Sequence, residues 1–291
     1  MGSMGYLGPC GTHSEAAAIF VSRAIHQQEL KGFPDIYSVM QAVSDGEVDS
    51  SIVPVENSLE GSINITLDFL ARNDTLEVAC ELVWPVHNYL MAKKSSCVPH
   101  TIVSHAQPLS QCRNYIKSHF PAADLVAAQS TAHAAKMVSQ SADDECAAIC
   151  TKRAGDMYGL SVIAENIQDN MMNSTRFFVV KKKTCDHFRV DISSEVNDMR
   201  GKDKVIVICK IDGSHAGALA SVLDEFAWRK VNMVRIESRP ARTRLGEYVF
   251  FFDLEADAPE GALESSIRAV GKKCIWLRVH GPFPVMNVFQ S

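Results

Sequence analysis

A length of 291 residues, at roughly 150 residues per domain, gives two domains, and 46% hydrophobic with 22% charged residues excludes a disordered chain. The formal net charge of −5, from 29 Lys+Arg against 34 Asp+Glu, excludes a sequence-independent pull on nucleic acid. No apolar run reaches the length of a membrane span, the N-terminus lacks a signal peptide's charged lead and apolar core, and the nine cysteines show no CxxC pair; a cytoplasmic protein with reduced thiols, most of them core residues, is expected.

The first half alternates strand and helix patterns. Met4–Leu7 reads as a short strand, Gly8–Gly11 as a turn, and Thr12 with Glu15 as a capping box for a helix over Ala16–Ile25. A helix over Ile36–Val43, a buried strand over Ser51–Val55, a helix over Ile63–Ala71 and two extended segments within Leu76–Ala92 follow. Strands are expected at Thr101–Ser104, Leu125–Ala128, Cys146–Cys150 and Thr175–Val180, with helices over Leu109–Phe120, Thr131–Ser139 and Arg153–Tyr158. This alternation argues for α/β layers with substantial parallel sheet, in which functional groups collect at strand carboxyl ends and helix N-termini.

Beyond Lys183 the composition turns polar, so residues 183–203 read as a linker or an exposed connecting stretch. From Lys204 the order is βαββαβ: strands at Lys204–Lys210, Asn232–Ser238, Glu247–Leu254 and Cys274–His280, helices over Ala216–Arg229 and Glu260–Val270. That is the ferredoxin-like arrangement, an antiparallel sheet with helices on one face. The bare face or the edge of such a sheet commonly needs a second subunit, so a homo-oligomer is expected.

Four polar clusters stand out. Gly11, Thr12 and Ser14 form a glycine turn entering a capped helix, apt for a carboxylate or phosphate and equally compatible with a plain cap. Glu56, Asn57 and Ser58 end a buried strand, where a turn and an acid–amide pair are both possible readings. Ser130 and Thr131 open a second helix. Asn173 to Phe177 open a strand whose alternation sends Thr175 and Phe177 to one face and Arg176 to the other. No HExxH, no acidic metal loop and no GxSxG elbow is present.

Taken together, GYLGPCGTHSEAA (5–17), VPVENSLEGSINITLDFL (53–70), STAHAA (130–135), NSTRFFVV (173–180) and GALASVLDEFAWRKVNMVRIESRP (217–240) resemble prephenate dehydratase with its ACT domain. The resemblance spans residues 4–285 and implies a two-lobed α/β catalytic domain over 4–182, similar to the type 2 periplasmic-binding-protein fold. A linker over 183–203 and an ACT regulatory domain over 204–285 follow. It implies decarboxylative dehydration of prephenate to phenylpyruvate, water and carbon dioxide, with no cofactor. Thr175 is then the catalytic residue, a donor to the leaving hydroxyl that is relayed through Asn57, Glu56 or water. The capped helices at Thr12 and Ser130-Thr131 would grip the two carboxylates, and Arg176 would orient its strand or pair with Glu56.

The resemblance further implies L-phenylalanine as effector, at Gly217, Ala218 and Leu219, with Glu237, Ser238, Arg239 and Pro240 shaping and transmitting. Removing residues 204–291 is expected to abolish that response and retain activity. Arogenate in place of prephenate, or a non-catalytic amino-acid sensor, are the alternatives; no chorismate mutase segment precedes residue 5, so a monofunctional chain is expected. The segment from Ser104 to Cys112 departs from the family's Ser-His-Pro-x-Ala-Leu-x-Gln-Cys by exchanging Pro and Ala, with Pro108 near a helix start.

Overall fold

The computed structural model describes residues 2–25, 29–185 and 199–288, so of the linker expected over 183–203, residues 186–198 lie outside the described residues. The chain opens with β1 (Ser3–Leu7), α1 (His13–Ala24), β2 (Glu29–Phe33), α2 (Ile36–Asp45), β3 (Ser50–Asn57), β4 (Gly61–Ser62), α3 (Asn64–Arg72) and β5 (Leu76–Pro85). Local chemistry starts these helices where the pattern places them. Thr12 accepts from the Glu15 N–H at 3.3 Å and Asp35 from the Ser38 N–H at 2.8 Å, each satisfying a donor that the helix leaves free.

The chain then leaves for a second lobe: β6 (Tyr89–Ala92), β7 (Thr101–Ser104), α4 (Ala106–Gln111), α5 (Arg113–His119), β8 (Asp124–Ala127), α6 (Thr131–Gln140), β9 (Cys146–Cys150), α7 (Lys152–Met157) and β10 (Ser161–Ala164). It returns as β11 (Ser174–Lys182), which inserts antiparallel between β3 and β5. The single helix expected over Leu109–Phe120 is two helices meeting at Cys112, and Pro108 occupies the third position of α4, where the missing N–H costs no intrahelical bond. Both lobes carry mixed sheets, parallel through β1, β2 and β3 and through β7, β8 and β9, with β4, β5, β6, β10 and β11 joined antiparallel to their neighbours among these strands. This is the two-lobed, periplasmic-binding-like architecture.

The C-terminal unit holds β12 (Lys204–Ile211), α8 (Ala218–Ala227), β13 (Met233–Pro240), β14 (Tyr248–Glu255), α9 (Ala262–Gly271) and β15 (Cys274–Phe283). Its sheet, in the order β13-β14-β12-β15, is antiparallel throughout, with α8 and α9 packed on one face, Val222 and Phe226 of α8 sharing a core with Val207, Cys209 and Phe252 of the sheet. It is ACT-like, as expected from βαββαβ.

Two expectations need correction. The face of this sheet opposite its helices is not bare: Ile206, Ile208, Phe251 and Phe283 share one core with Val53, Val55, Leu70 and Phe178 of the first lobe. A final strand, β16 (Val285–Asn287), then pairs parallel with β5 and becomes the edge of the first-lobe sheet. Removing residues 204–291 would therefore strip one face of the catalytic sheet and one of its strands, and an active truncated chain is no longer expected. Among the described residues, no helix is long and apolar enough to cross a membrane.

Candidate active site

The two chain crossings between the lobes run side by side. The Val86 N–H donates to the Asn173 carbonyl at 2.9 Å, the Ile167 N–H to the Asn88 carbonyl at 3.0 Å, and the Asn88 N–H to Gln168 Oε1 at 2.9 Å. Between the lobes they join lies a cleft of about 430 Å³, lined from the first lobe by Thr12, Ser14, Asn57, Thr175 and Phe177 and from the second by Ser130 and Thr131. Those seven were singled out from the sequence. His13, Glu60, Asn88, His105, Gln107, Gln111 and Gln129 also line it. His13, Glu60, His105, Gln107 and Gln111 stood inside segments already quoted, without a role assigned to them; Asn88 carried no local signal, because only the lobe arrangement turns it inward.

Strand alternation positions Thr175. Along β11, Thr175 and Phe177 face the cleft and Arg176 faces the C-terminal sheet, so adjacent residues serve different partners. Asn57, opposite Thr175 in the β3–β11 pairing, donates from Nδ2 to Thr175 Oγ1 at 3.1 Å. Its Oδ1 accepts from the Leu59 and Glu60 N–H groups at 3.0 and 3.2 Å, which fixes the amide's orientation. Thr175 thus receives a hydrogen bond on its oxygen and keeps its own proton for the cleft. A relay of that proton through Asn57 or Glu56 is corrected: Asn57 is the donor in their bond, and Glu56 lies with Arg176 on the far side of the sheet.

Helix N-termini supply the electrostatics. Thr12 caps α1 and Ser130 caps α6, accepting from the His133 N–H at 3.0 Å, and His105 caps the short α4. All three caps line the cleft, and among the described residues no lysine or arginine lines it. An anion there is met by N–H groups, hydroxyls, amides and helix dipoles. Burial, with His87 adding to it, pulls His13 down to about 4, so its imidazole is neutral at pH 7.

Gly11 does not line the cleft but closes it. Its φ of +86° suits glycine, and a Cβ there would meet the Ala154 and Ala132 methyl carbons at 3.0 and 3.2 Å, both in the opposite lobe. Its carbonyl accepts from Thr151 Oγ1 at 2.6 Å and its N–H donates to Glu15 Oε2 at 2.7 Å. Arg153 reaches across the lobes to that same carboxylate at 2.6 Å. Burial works to raise the Glu15 carboxyl, but Arg153 and the Gly11 N–H outweigh it and hold it below the usual range. Ser58 also stays outside the cleft, its hydroxyl accepting from the Ser174 N–H at 3.0 Å, and Asn173 is 1% exposed behind Asn57.

On the opposite face of β11, Arg176 Nη1 meets Glu56 at 2.7 Å, and Nη2 meets Glu81 at 2.8 Å and Asp253 of β14 at 2.7 Å. Arg235 of β13 bonds Glu56 at 3.2 Å and Ser62 Oγ at 2.7 Å, while Ser62 donates to Glu237 at 2.8 Å. Arg239 pairs with Asp68 of α3 at 3.3 Å. Ser238 and Pro240 point the other way along β13 and are exposed. Gly217, in the left-handed region with φ +81°, caps α8, and Ala218 and Leu219 line a separate cavity of about 400 Å³ together with Glu247, Tyr248, Phe250 and Ile275.

A two-lobed α/β unit whose interlobe cleft is built from helix N-termini, hydroxyls and amides, fused to an ACT-like sheet, defines an anion-handling enzyme with a regulatory module. Residues 4–185 match the family model for prephenate dehydratase. The chain is 38% identical over 254 residues to the prephenate dehydratase of Lactococcus lactis subsp. cremoris, covering 87% of this chain and 86% of that one. It is 34% identical over 283 residues to that of Methanocaldococcus jannaschii, covering 97% and 98%. The structure of prephenate dehydratase from Arthrobacter aurescens in complex with L-Phe superposes with a TM-score of 0.82 at 30% identity, over 99% of this chain and 91% of that one. The chain belongs to the prephenate dehydratase family, a family of hydro-lyases.

Proposed function

We propose that this enzyme converts prephenate to phenylpyruvate, water and carbon dioxide, with Thr175 as the catalytic residue. The observation that carries the reading is the Thr175 hydroxyl, oriented by Asn57 so that its proton faces a cleft with no lysine or arginine on its walls among the described residues. Loss of the ring carboxylate as carbon dioxide sends an electron pair into the ring. The ring's C–O bond breaks, and the departing hydroxide takes up a proton and leaves as water. A threonine hydroxyl is a poor acid, so its contribution is a hydrogen bond that strengthens as charge builds on the leaving oxygen. Aromatisation drives the step, and the protein's remaining task is to hold the substrate in register.

The N-termini of α1, at Thr12 and Ser14, and of α6, at Ser130 and Thr131, take the two carboxylates in this reading. Gly11 supports the α1 turn from behind, Ser58 holds the start of β11 through Ser174, and Phe177 supplies the apolar wall beside Thr175. Incubating the purified chain with prephenate and, separately, with arogenate tests the assignment. Phenylpyruvate from prephenate is expected; phenylalanine from arogenate with prephenate untouched would overturn it.

Regulation follows the same logic. The cavity beside Gly217, Ala218 and Leu219 receives phenylalanine in our reading, with α8's N-terminus for the carboxylate and Tyr248, Phe250 and Ile275 for the ring. The bound state of the Arthrobacter relative is what makes phenylalanine the candidate. Glu237 and Arg239, on the face of β13 turned to the first lobe, transmit rather than hold it; Ser238 and Pro240 belong to the opposite face of that strand. A working division at 4–182, 183–203 and 204–285 separates chemistry from regulation, in a cytoplasmic homodimer or homotetramer. The edge strand β13, with Val234 and Ile236 exposed, is the surface that suits a second copy.

A further inference from the structure

We infer that Asn173, which does not line the cleft, is a positioning residue that sets the polarity of a chain of amides ending in a donor aimed at the substrate. This rests on the reading of the cleft as the prephenate site. The chain starts from groups that cannot be reversed: the backbone N–H groups of Leu59 and Glu60 donate to Asn57 Oδ1 at 3.0 and 3.2 Å. Asn57 must then present its Nδ2, which reaches Thr175 Oγ1 at 3.1 Å, the Ser174 carbonyl at 3.1 Å and Asn173 Oδ1 at 3.0 Å.

Asn173 Oδ1 also lies 3.5 Å from the Ser58 hydroxyl, a second donor on the same oxygen. With its oxygen committed, Asn173 turns Nδ2 to Gln111 Oε1 at 3.1 Å, across the boundary between the lobes. The Gln111 amide is thereby oriented too. Its Nε2 is buried, lacks a hydrogen-bond partner, and belongs to a residue that lines the cleft. A buried amide N–H without a partner is costly unless a bound molecule satisfies it. Asn173 therefore joins the residue that orients Thr175 to the second lobe's donor, and one side chain keeps both halves of the site in a single hydrogen-bond sense.

An aspartate at 173 distinguishes polarity from packing. Asn173→Asp has the same shape and still accepts from Asn57, but it now demands a donor from Gln111. The Gln111 amide must turn over, and its oxygen faces the substrate. KM for prephenate is expected to rise about tenfold, the worth of one hydrogen bond to a charged oxygen, with kcat held within about threefold because the Asn57–Thr175 bond survives. Asn173→Ala leaves Gln111 free to choose its orientation and should raise KM less, about threefold, although it removes more volume.

Repulsion between the new carboxylate and the substrate is separated by a double-mutant cycle with Gln111→Met. If the damage passes through the turned amide, Asn173→Asp changes KM by less than about twofold in the Gln111→Met background. An equal factor in both backgrounds, a larger KM effect from alanine than from aspartate, or a loss confined to kcat would each overturn the proposal. Should Asn173→Asp fail to fold, the Asn173→Ala and Gln111→Met cycle decides in its place, since an alanine effect that persists without Gln111 refutes the coupling. A wild-type chain active on arogenate alone overturns the substrate reading, and the same comparison is then made with arogenate.

Discussion

Replacing Arg176 with methionine should destabilise the chain by about 3–5 kcal/mol at pH 7, the usual cost of leaving a buried charge unpaired. The size follows from what the guanidinium neutralises. Arg176 is 15% exposed and touches Glu56, Glu81 and Asp253, the last two 0% and 2% exposed. After the substitution Glu81 keeps Lys204 at 2.7 Å and Glu56 keeps Arg235 at 3.2 Å, but Asp253 loses the cation that sits 2.7 Å away. Methionine preserves much of the aliphatic volume, so the loss reads charge and not a cavity. Urea midpoints at pH 7, with unfolding of both sheets followed by Trp84 and Trp276 fluorescence, give the number.

The pH dependence supplies a second check. Burial works to raise the Glu81 carboxyl, and Arg176 with Lys204 more than reverses it, so its folded value lies below the ordinary range. A depressed carboxylate contributes stability that is present above its unfolded value, about 4.3, and is lost as pH falls through the lower folded value. Removing Arg176 removes most of that contribution, so the gap between variant and wild type should narrow as the pH is lowered through that window. A destabilisation under about 1 kcal/mol, or a gap of constant size down to acid pH, would refute the account of Arg176 as the electrostatic pin between the two sheets.

Other variants probe the cleft and its regulation. Thr175→Val should fold normally and lose about a hundredfold or more in kcat, with KM within about threefold, by steady-state assay; near-normal turnover would remove Thr175 from the mechanism. Gly11→Ala should cost at least about tenfold in kcat/KM, because its methyl would both strain a positive φ and wedge against Ala132 and Ala154; unchanged kinetics would mean that the lobes do not need this close approach. Glu237→Gln should weaken inhibition by phenylalanine in full-length protein, measured as a rise in the half-inhibitory concentration, since it loosens the contact between β13 and Ser62 on the cleft wall.

Much of this site was legible in the residues themselves. Thr12 and Ser130 announce helix starts by side-chain chemistry that acts within three residues, and β11's alternation separates Thr175 from Arg176 without any knowledge of the fold. Short range is the common factor. What stayed hidden depends on distant partners. Gln111 reads as the third residue of one expected helix, and only the break between α4 and α5 and the approach of Asn173 give it a role. The polar edge strand β2 and the short β16 carry too few apolar positions to declare themselves. The shared core beneath the ACT-like sheet was invisible for another reason: Ile206, Ile208 and Phe251 look the same whether they meet a second subunit or their own catalytic lobe. Cys10 is exposed beside the cleft turn, hydrogen-bonded to the Tyr6 hydroxyl at 3.1 Å, and departs from the core role expected of most cysteines.

The parallel pairing of β16 with β5 has a consequence for how the protein is made. Residues 285–287 complete a sheet whose other strands leave the ribosome far earlier, so the catalytic sheet stays open along β5 until the whole regulatory sheet has been made. During that interval β5 offers unpaired N–H and C=O groups along its outer edge to any extended chain nearby. Synthesis halted anywhere in the regulatory sheet would release an enzyme unfinished at its catalytic core. The order of the genetic message thus ties the appearance of activity to the arrival of the sheet that is to restrain it.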